Sequence, residues 1–324
     1  MLYFLIDWRR GLREELEYKE VVKETPLLSV LGMEEPVLVT KAKNVNEKLY
    51  LASQLQKLDA IGTDAVVLSV NDMLAMRVKP VAFSDTILCA RAGKEQVKRL
   101  RRGVEQGCTV SGIRYAGGQV DELPEAMSFD RYYLFGYITG VAERRERMET
   151  PQVKDGDVII GIASNGLHND GYALAAKKLY LNQSSMEAYY ETLGATLGEL
   201  LLAPVRLYKR AMEAVYASGQ QIKGCVQVAE GGLDAAVYQL LSHRAGAVIK
   251  QKQEHIPPLY KMLQRDGGIS SKQLRESCNM GIGMLILVQE ENADAVIELL
   301  EGAGETVTPL GLVERDSYTV RYIT

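Results

Sequence analysis

An α/β architecture in two halves of similar length follows from three features of this 324-residue sequence. Short apolar runs of strand character, such as "VIIGIAS" (158–164) and "GMLILV" (283–288), alternate with amphipathic helical stretches. The turn "TPQVKDGD", around Pro151 and Gly156, interrupts that alternation near its middle and sets the expected domains at 1–149 and 150–324. Hydrophobic residues make up 47% and charged residues 25%, the balance of a globular chain with a substantial core.

Residues 1–35 are charge-rich and then mixed, and predict a helix followed by a loop through Thr25 and Pro26. The opening "MLYFLIDWRR" has an apolar run that Asp7 ends. It is too short for a membrane span and lacks the basic start and small-residue site of a signal peptide. "PVLV" from Pro36 is a strand. Residues 37–52, "VLVTKAKNVNEKLYLA", carry it into a helix through a turn expected at 41–47 that contains no glycine. Residues 57–78 hold Ile61, Ala65, Leu68 and Val67, Val70, Leu74 at helical spacing, and Pro80 stops that helix. "VAFSDTILCA" is a strand with Asp85 inside it. "KEQVKRLRRGVEQGC" is an amphipathic helix that Gly107 is expected to end, its basic run being a solvated face. Beyond it "TVSGIRYA" reads as a strand, "GGQVDELP" as a loop and "YYLFGYITGVAE" as a long strand.

The net charge of -4 offers no broad attraction to nucleic acid or anionic lipid, so neither is an expected partner. Cys89, Cys108, Cys225 and Cys278 are scattered without CxxC spacing, and His168, His243 and His255 are as dispersed. That distribution argues against zinc and for reduced, buried thiols in a cytoplasmic protein.

Four segments place polar residues or glycines where chemistry commonly sits. Asp64, Asn71 and Asp72 lie on an otherwise apolar helix. Asp64 and Asp72, eight residues apart, share a broad face, and acids there need a cation or hydrogen-bond donors. A cap or surface stripe is the plainer alternative. Gly117 and Gly118 permit positive φ or close ligand approach, and Asp121 and Glu122 offer oxygens suited to magnesium, or simply an exposed turn. "SNGLHNDGYAL" (164–174) runs from a strand to a helix through Asn165, Gly166, His168, Asn169 and Asp170. A helix start binds anions and His168 titrates near neutrality, although Ser, Asn and Asp are also ordinary caps. Finally, Gly231 and Gly232 open a helix in "QVAEGGLDAA", and "ESCNMGIGM" opens a strand.

Taken in order, these segments resemble the aminoimidazole ribonucleotide synthetase family, also called phosphoribosylformylglycinamidine cyclo-ligase, over nearly the whole chain. The family's Ile-Gly-x-Asp to Val-Asn-Asp helix looks like Ile61-Gly62-Thr63-Asp64 through Val70-Asn71-Asp72, and its strand with Asp after Phe is similar to Phe83-Ser84-Asp85. Its Ser-x-Gly-x-His-x-Asn-Gly-Tyr motif resembles residues 164–172, and "LLAPVRLY" and "CNMGIGM" are similar to its corresponding stretches. The resemblance implies a two-domain synthetase fold, α+β or α/β, with N-terminal strands forming a barrel at a dimer interface and a C-terminal α/β sandwich. It implies ATP-dependent closure of an imidazole ring in purine biosynthesis: ATP activates the formamide oxygen of a ribonucleotide amidine, a nitrogen attacks, and phosphate leaves. The implied cofactors are ATP and Mg; the implied partners are a second copy of the chain and a small ribonucleotide. Carried onto this sequence, His168 and Asn169 stand at catalytic positions. Lys48, Asp64, Asn71, Gly117, Gly118, Gly231 and Gly232 stand at nucleotide-binding positions, and Asp72, Asp85 and Glu122 at metal positions.

The resemblance breaks where the nucleotide binds. The family has Gly-Thr-Asp-Gly-Val-Gly-Thr-Lys where this chain has residues 41–48, "KAKNVNEK", which keep only Val45 and Lys48. Lys43 replaces the acid, and an ammonium cannot ligate a metal. Glu47 sets a negative charge where triphosphate would lie. Gly-Gly-Glu-Thr-Ala-Glu-Met-Pro becomes "GGQVDELP", His-Leu-Thr-Gly-Gly-Gly becomes "QVAEGG", and "LLSVLGMEEP" stands in place of a glycine-rich segment. Related synthetases fit less well: the first cysteine, Cys89, is far from the start where selenophosphate synthetases are reactive, and the acidic loop of thiamin-monophosphate kinases is missing. The expected function is the family's ring closure with impaired or lost catalysis. The alternative is a non-catalytic dimeric paralogue that binds a nucleotide or a partner.

Overall fold

The computed structural model describes residues 32–128, 131–148, 152–242, 245–251, 256–315 and 317–323. The helix and loop expected ahead of residue 32, Pro151 of the interdomain turn, His243 and His255 lie outside these residues.

The N-terminal strands β1 (Pro36–Asn44), β2 (Lys79–Cys89), β3 (Arg114–Glu122) and β4 (Tyr132–Glu143) form one sheet in the order β1-β4-β2-β3. β4 is antiparallel to β1 and β2, and β3 joins β2 in parallel. Successive side chains on a strand point to opposite faces. One face buries Phe83, Asp85, Ile87, Leu134 and Ile138. Against it lies helix α2 (Leu58–Ala75), preceded by α1 (Asn46–Gln54) and packed in turn on α3 (Lys94–Ser111). On the other face Leu38 and Tyr137 remain 42% and 41% exposed.

Three expectations change here. β1 runs through Asn44 and α1 begins at Asn46, so the turn expected at 41–47 shrinks to Val45. Gly107 does not end α3. A Cβ there would lie 2.8 Å from the Val66 Cβ, so the glycine lets α3 close on α2. The helix continues to Ser111 and stops at Gly112, left-handed at φ 64°. In consequence the next strand starts only at Arg114 and takes in the Gly117-Gly118 pair that had read as a loop.

The second sheet uses β5 (Val158–Ala163), β8 (Ile222–Gln227), β9 (Gly246–Lys250), β10 (Ile282–Val288), β11 (Val307–Glu314) and β12 (Val320–Ile323), ordered β12-β9-β11-β5-β10-β8. Only β12 and β9 pair in parallel. A short hairpin, β6 (Tyr189–Tyr190) and β7 (Ala195–Thr196), stands apart. Around the sheet are α4 (Tyr172–Lys178), α5 (Gln183–Glu187), α6 (Leu197–Leu201), α7 (Lys209–Ala217), α8 (Gly232–Leu240), α9 (Pro258–Arg265), α10 (Ser271–Ser277) and α11 (Glu290–Gly302). One hydrophobic core runs through both halves. Helix α2 joins them: it touches β4 on one side, and β8 and α7 on the other. Its near-complete burial explains an apolar sequence without a clean polar stripe.

Candidate active site

Because β1 extends to Asn44, Lys41 and Lys43 are alternate strand residues and share the face turned toward α2. Both ammoniums reach Oδ2 of Asp72, at 3.1 and 3.0 Å. The Gln227 amide donates to Asp72 Oδ1 at 2.8 Å and to the Leu68 carbonyl at 3.1 Å, tying β8 to α2. Glu230 stands 3.8 Å from Lys43. Lys41, Lys43, Asp72, Gln227 and Glu230 line a cavity of about 240 Å³ between the two halves.

Lys48, Asp64 and Asn71, expected at nucleotide positions, are turned instead onto segment 203–208, which belongs to no helix or strand. Lys48 and Asp64 are both fully buried and pair at 2.6 Å. Lys48 Nζ also donates to the Ala203 carbonyl at 2.6 Å, and the Val205 N–H donates to Asp64 Oδ1 at 2.8 Å. Asn71 donates to the Arg206 carbonyl at 2.8 Å and accepts from the Tyr208 N–H at 3.1 Å. Buried backbone outside helix and sheet needs such partners. Burial pushes the Asp64 carboxyl up, while the Lys48 ammonium and the Val205 N–H pull it back.

His168 is fully buried, in the left-handed region at φ 56°, and does not line a polar cleft. Its Nε2 accepts from the Asn165 and Arg206 N–H groups at 3.2 and 3.4 Å, so the ring is neutral with its proton on Nδ1. Burial pushes its pKa down to about 3, and the charges of Lys48 and Arg206 act in the same direction. Such a ring holds loop 164–168 against segment 203–208. Asn169 donates to the Asn44 carbonyl at 3.0 Å, at the end of β1. The group in this loop that titrates near neutrality is Asp170: burial pushes it up to about 6, helped by Glu47 and Glu230.

The helix starts that read as anion sites meet the protein's own carboxylates. Asp170 Oδ2 accepts from the Gly232 N–H at 2.9 Å, at the first residue of α8. Glu47 accepts from the Ala173 N–H at 3.2 Å, in the first turn of α4. Gly231 and Gly232 are left-handed, at φ 83° and 68°, which lets the chain turn into α8. In β3, Gly117 is left-handed at φ 100°. The bare Cα of Gly118 leaves room for the Asp85 carboxylate, whose Cγ a Cβ would meet at 2.5 Å.

Magnesium takes about six oxygen ligands in near-octahedral array. The acids expected to supply them do not converge. Asp72 is held by two ammoniums and an amide. Asp85 on β2 pairs with Gly136 of β4, as Lys43 does from β1 on the other side, so Asp85 lies two strands from Lys43. There it accepts from the Tyr115 hydroxyl at 2.7 Å, and burial pushes its pKa up. Glu122, at the far end of β3, accepts from the Ala92 N–H at 2.8 Å. Among the described residues no three His, Cys, Asp or Glu side chains gather to hold a metal. Asp72, Asp85 and Glu122 therefore do not fit the magnesium site that the resemblance implies. Sequence reasoning underrated Asp170, read as a cap, and Gln227, whose partner is far along the chain.

Comparisons with known proteins bear on the family and the fold. Residues 28–142 match "AIR synthase related protein, N-terminal domain" and residues 154–323 match "AIR synthase related protein, C-terminal domain". The chain is 35% identical to phosphoribosylformylglycinamidine cyclo-ligase of Lachnospira eligens, over 95% of both chains. It is 36% identical to that of Lachnoclostridium phytofermentans, over 89% of this chain and 84% of the relative. Among solved structures, thiamine-monophosphate kinase from Stenotrophomonas maltophilia superposes with a TM-score of 0.66 at 18% identity, over 89% of this chain and 86% of that one. T. maritima PurL complexed with ATP gives 0.60 at 14% identity, over 89% of this chain and 42% of that one. At those identities the structures speak for the fold alone. The two domain matches and the end-to-end likeness to named cyclo-ligases place this chain in the phosphoribosylformylglycinamidine cyclo-ligase family.

Proposed function

We propose that this protein descends from the ATP-dependent ring-closing enzymes of purine biosynthesis and that its own ring closure is strongly impaired or lost. The observation that carries the reading is Lys43 on Asp72 at 3.0 Å, with Lys41 at 3.1 Å on the same oxygen. Occupation of the helix starts at Gly232 and Ala173 by Asp170 and Glu47 supports it, because a phosphate there would face carboxylates. ATP and Mg are the cofactors of the ancestral reaction. In this chain His168, Asn169, Lys48, Asp64 and Asn71 hold the two halves and the 203–208 segment in register, and Lys43, Gln227 and Glu230 shape the cavity.

The domains are assigned to 1–149 and 150–324, and the working unit to a cytoplasmic homodimer. Among the described residues no helix is long and apolar enough to cross a membrane. The open sheet face bearing Leu38 and Tyr137 supports the dimer, and with it the second reading, a non-catalytic paralogue that keeps its partner surface.

Turnover of formylglycinamidine ribonucleotide with ATP and magnesium tests the proposal, with the Lachnospira eligens relative assayed alongside. The expected kcat/KM is lower by at least about 100-fold, equivalent to some 2.7 kcal/mol of lost transition-state stabilisation. Comparable values for the two proteins would defeat it.

A further inference from the structure

We infer that Lys41 and Lys43 occupy, with their own charge, the place beside Asp72 that a divalent cation would take, so that the cleft operates without bound metal. The inference rests on the reading of an altered site and deepens it.

Its first ground is saturation of the carboxylate. Asp72 Oδ2 meets both ammoniums, at 3.1 and 3.0 Å, and Oδ1 takes the Gln227 amide at 2.8 Å. A cation entering here displaces two charged partners at once. The second ground is the surroundings. The Lys43 and Asp72 side chains are only 11% and 10% exposed, so water screens their attraction weakly. The third is supply of ligands. Glu230, 3.8 Å from Lys43, is the other carboxylate in reach, and its side chain is 76% exposed. Asp170 is held by the Gly232 N–H, Asp85 by the Tyr115 hydroxyl, and Glu122 by the Ala92 N–H. Charge completes the case: two ammoniums already balance Asp72 and Glu230, and a divalent ion added to that set leaves an excess of positive charge.

Pairing of this kind follows from strand periodicity. Residues 41 and 43 fall on one face of β1, and that face is turned toward α2, where Asp72 waits near the C-terminal end. Either lysine one position along would point to the open face and leave Asp72 with one ammonium instead of two.

Titration of the full-length protein with Mn²⁺, followed by electron paramagnetic resonance of the free ion, tests the inference without reference to turnover. The native protein is expected to show no binding that depends on Asp72. The double variant Lys41→Ala, Lys43→Asp removes two positive charges and adds an oxygen donor. It is expected to bind Mn²⁺ at least about ten-fold more tightly than the native chain, and Asp72→Asn on that background should abolish the gain. Native Mn²⁺ binding with a Kd below about 0.1 mM that Asp72→Asn removes would overturn the inference. So would a double variant that is folded by circular dichroism and gains nothing, since the lysines would then not be what keeps the metal out. Native binding that survives Asp72→Asn lies elsewhere and supports it. If the double variant does not fold, the native titration decides alone. Native turnover with no Mn²⁺ at Asp72 would defeat the proposed function and leave this inference standing, whereas Mn²⁺ at Asp72 with no turnover would do the reverse.

Discussion

Asp170 is a carboxylate whose protonation the fold moves into a measurable window. Its folded pKa is raised from 3.8 to about 6, chiefly by burial. The folded state therefore holds the proton more tightly than the unfolded chain does. That contribution to stability is fully present below about pH 4 and is lost as pH rises through about 6. Asp170→Asn keeps an acceptor for the Gly232 N–H and removes the charge. The variant should be more stable than the native protein at pH 8 by about 1–2 kcal/mol, after allowing for partial solvent access, and indistinguishable from it at pH 4. Urea denaturation at the two values checks this, and equal differences at both would contradict it. His168 is expected to behave oppositely to a catalytic histidine. Its pKa of about 3 keeps it neutral throughout that range, so it contributes no titration near neutrality.

At the level of elements, the contact between α2 and segment 203–208 holds the halves together more specifically than apolar packing does. Asp64 and Asn71, seven residues apart on α2 and so nearly aligned along one side, grip a short stretch of backbone at Val205, Arg206 and Tyr208. Lys48 closes the grip from α1 at Ala203. Lys48→Met leaves Asp64 charged and unpaired inside the protein, and should cost about 3–5 kcal/mol. The double variant Lys48→Met, Asp64→Leu should recover a large part of that loss, because two matched apolar side chains avoid the desolvation of an ion pair. Chemical denaturation of the two variants makes the comparison. Equal stabilities would show that the pair itself, and not the stranded carboxylate, matters.

At the scale of the whole molecule, the outer face of the N-terminal sheet is covered among the described residues only at Val141, by Met33 and Val81, and stays open around Leu38 and Tyr137. Thr40 pairs with Thr139, and Ala42 with Tyr137, which in turn pairs with Ser84, so these residues lie side by side on that face. With Leu38 exposed beside them, the face offers an aromatic ring at Tyr137 and an apolar side chain at Leu38, of the kind buried between copies of a chain. Sedimentation at micromolar concentration should find the native protein as a dimer. Leu38→Glu should shift it to monomer while leaving far-ultraviolet circular dichroism unchanged. A native monomer would remove the proposal.

Much of the scaffold was readable from local periodicity. The apolar spacing in 57–78 is α2, the alternation in 132–143 is β4, and "GMLILV" is the buried β10. Family motifs carried the reading to a fold. Local signals misplaced Gly107, whose reason for being glycine is Val66 on another helix, and the Gly117-Gly118 pair, whose neighbour is Asp85 on β2. The site was half readable in the same sense. The charges of the lysine at 43 and the glutamate at 47 were plain beforehand, because charge is a property of the residue alone. Their partners did not show, because Asp72, Glu230 and the Ala173 N–H lie far along the chain. Lys48, Asp64 and Asn71 looked like ligand groups and turned out to bind backbone near residue 205, more than a hundred residues away. Spacing along a chain reports which face a side chain takes, whereas the group it meets there is settled by packing between distant segments.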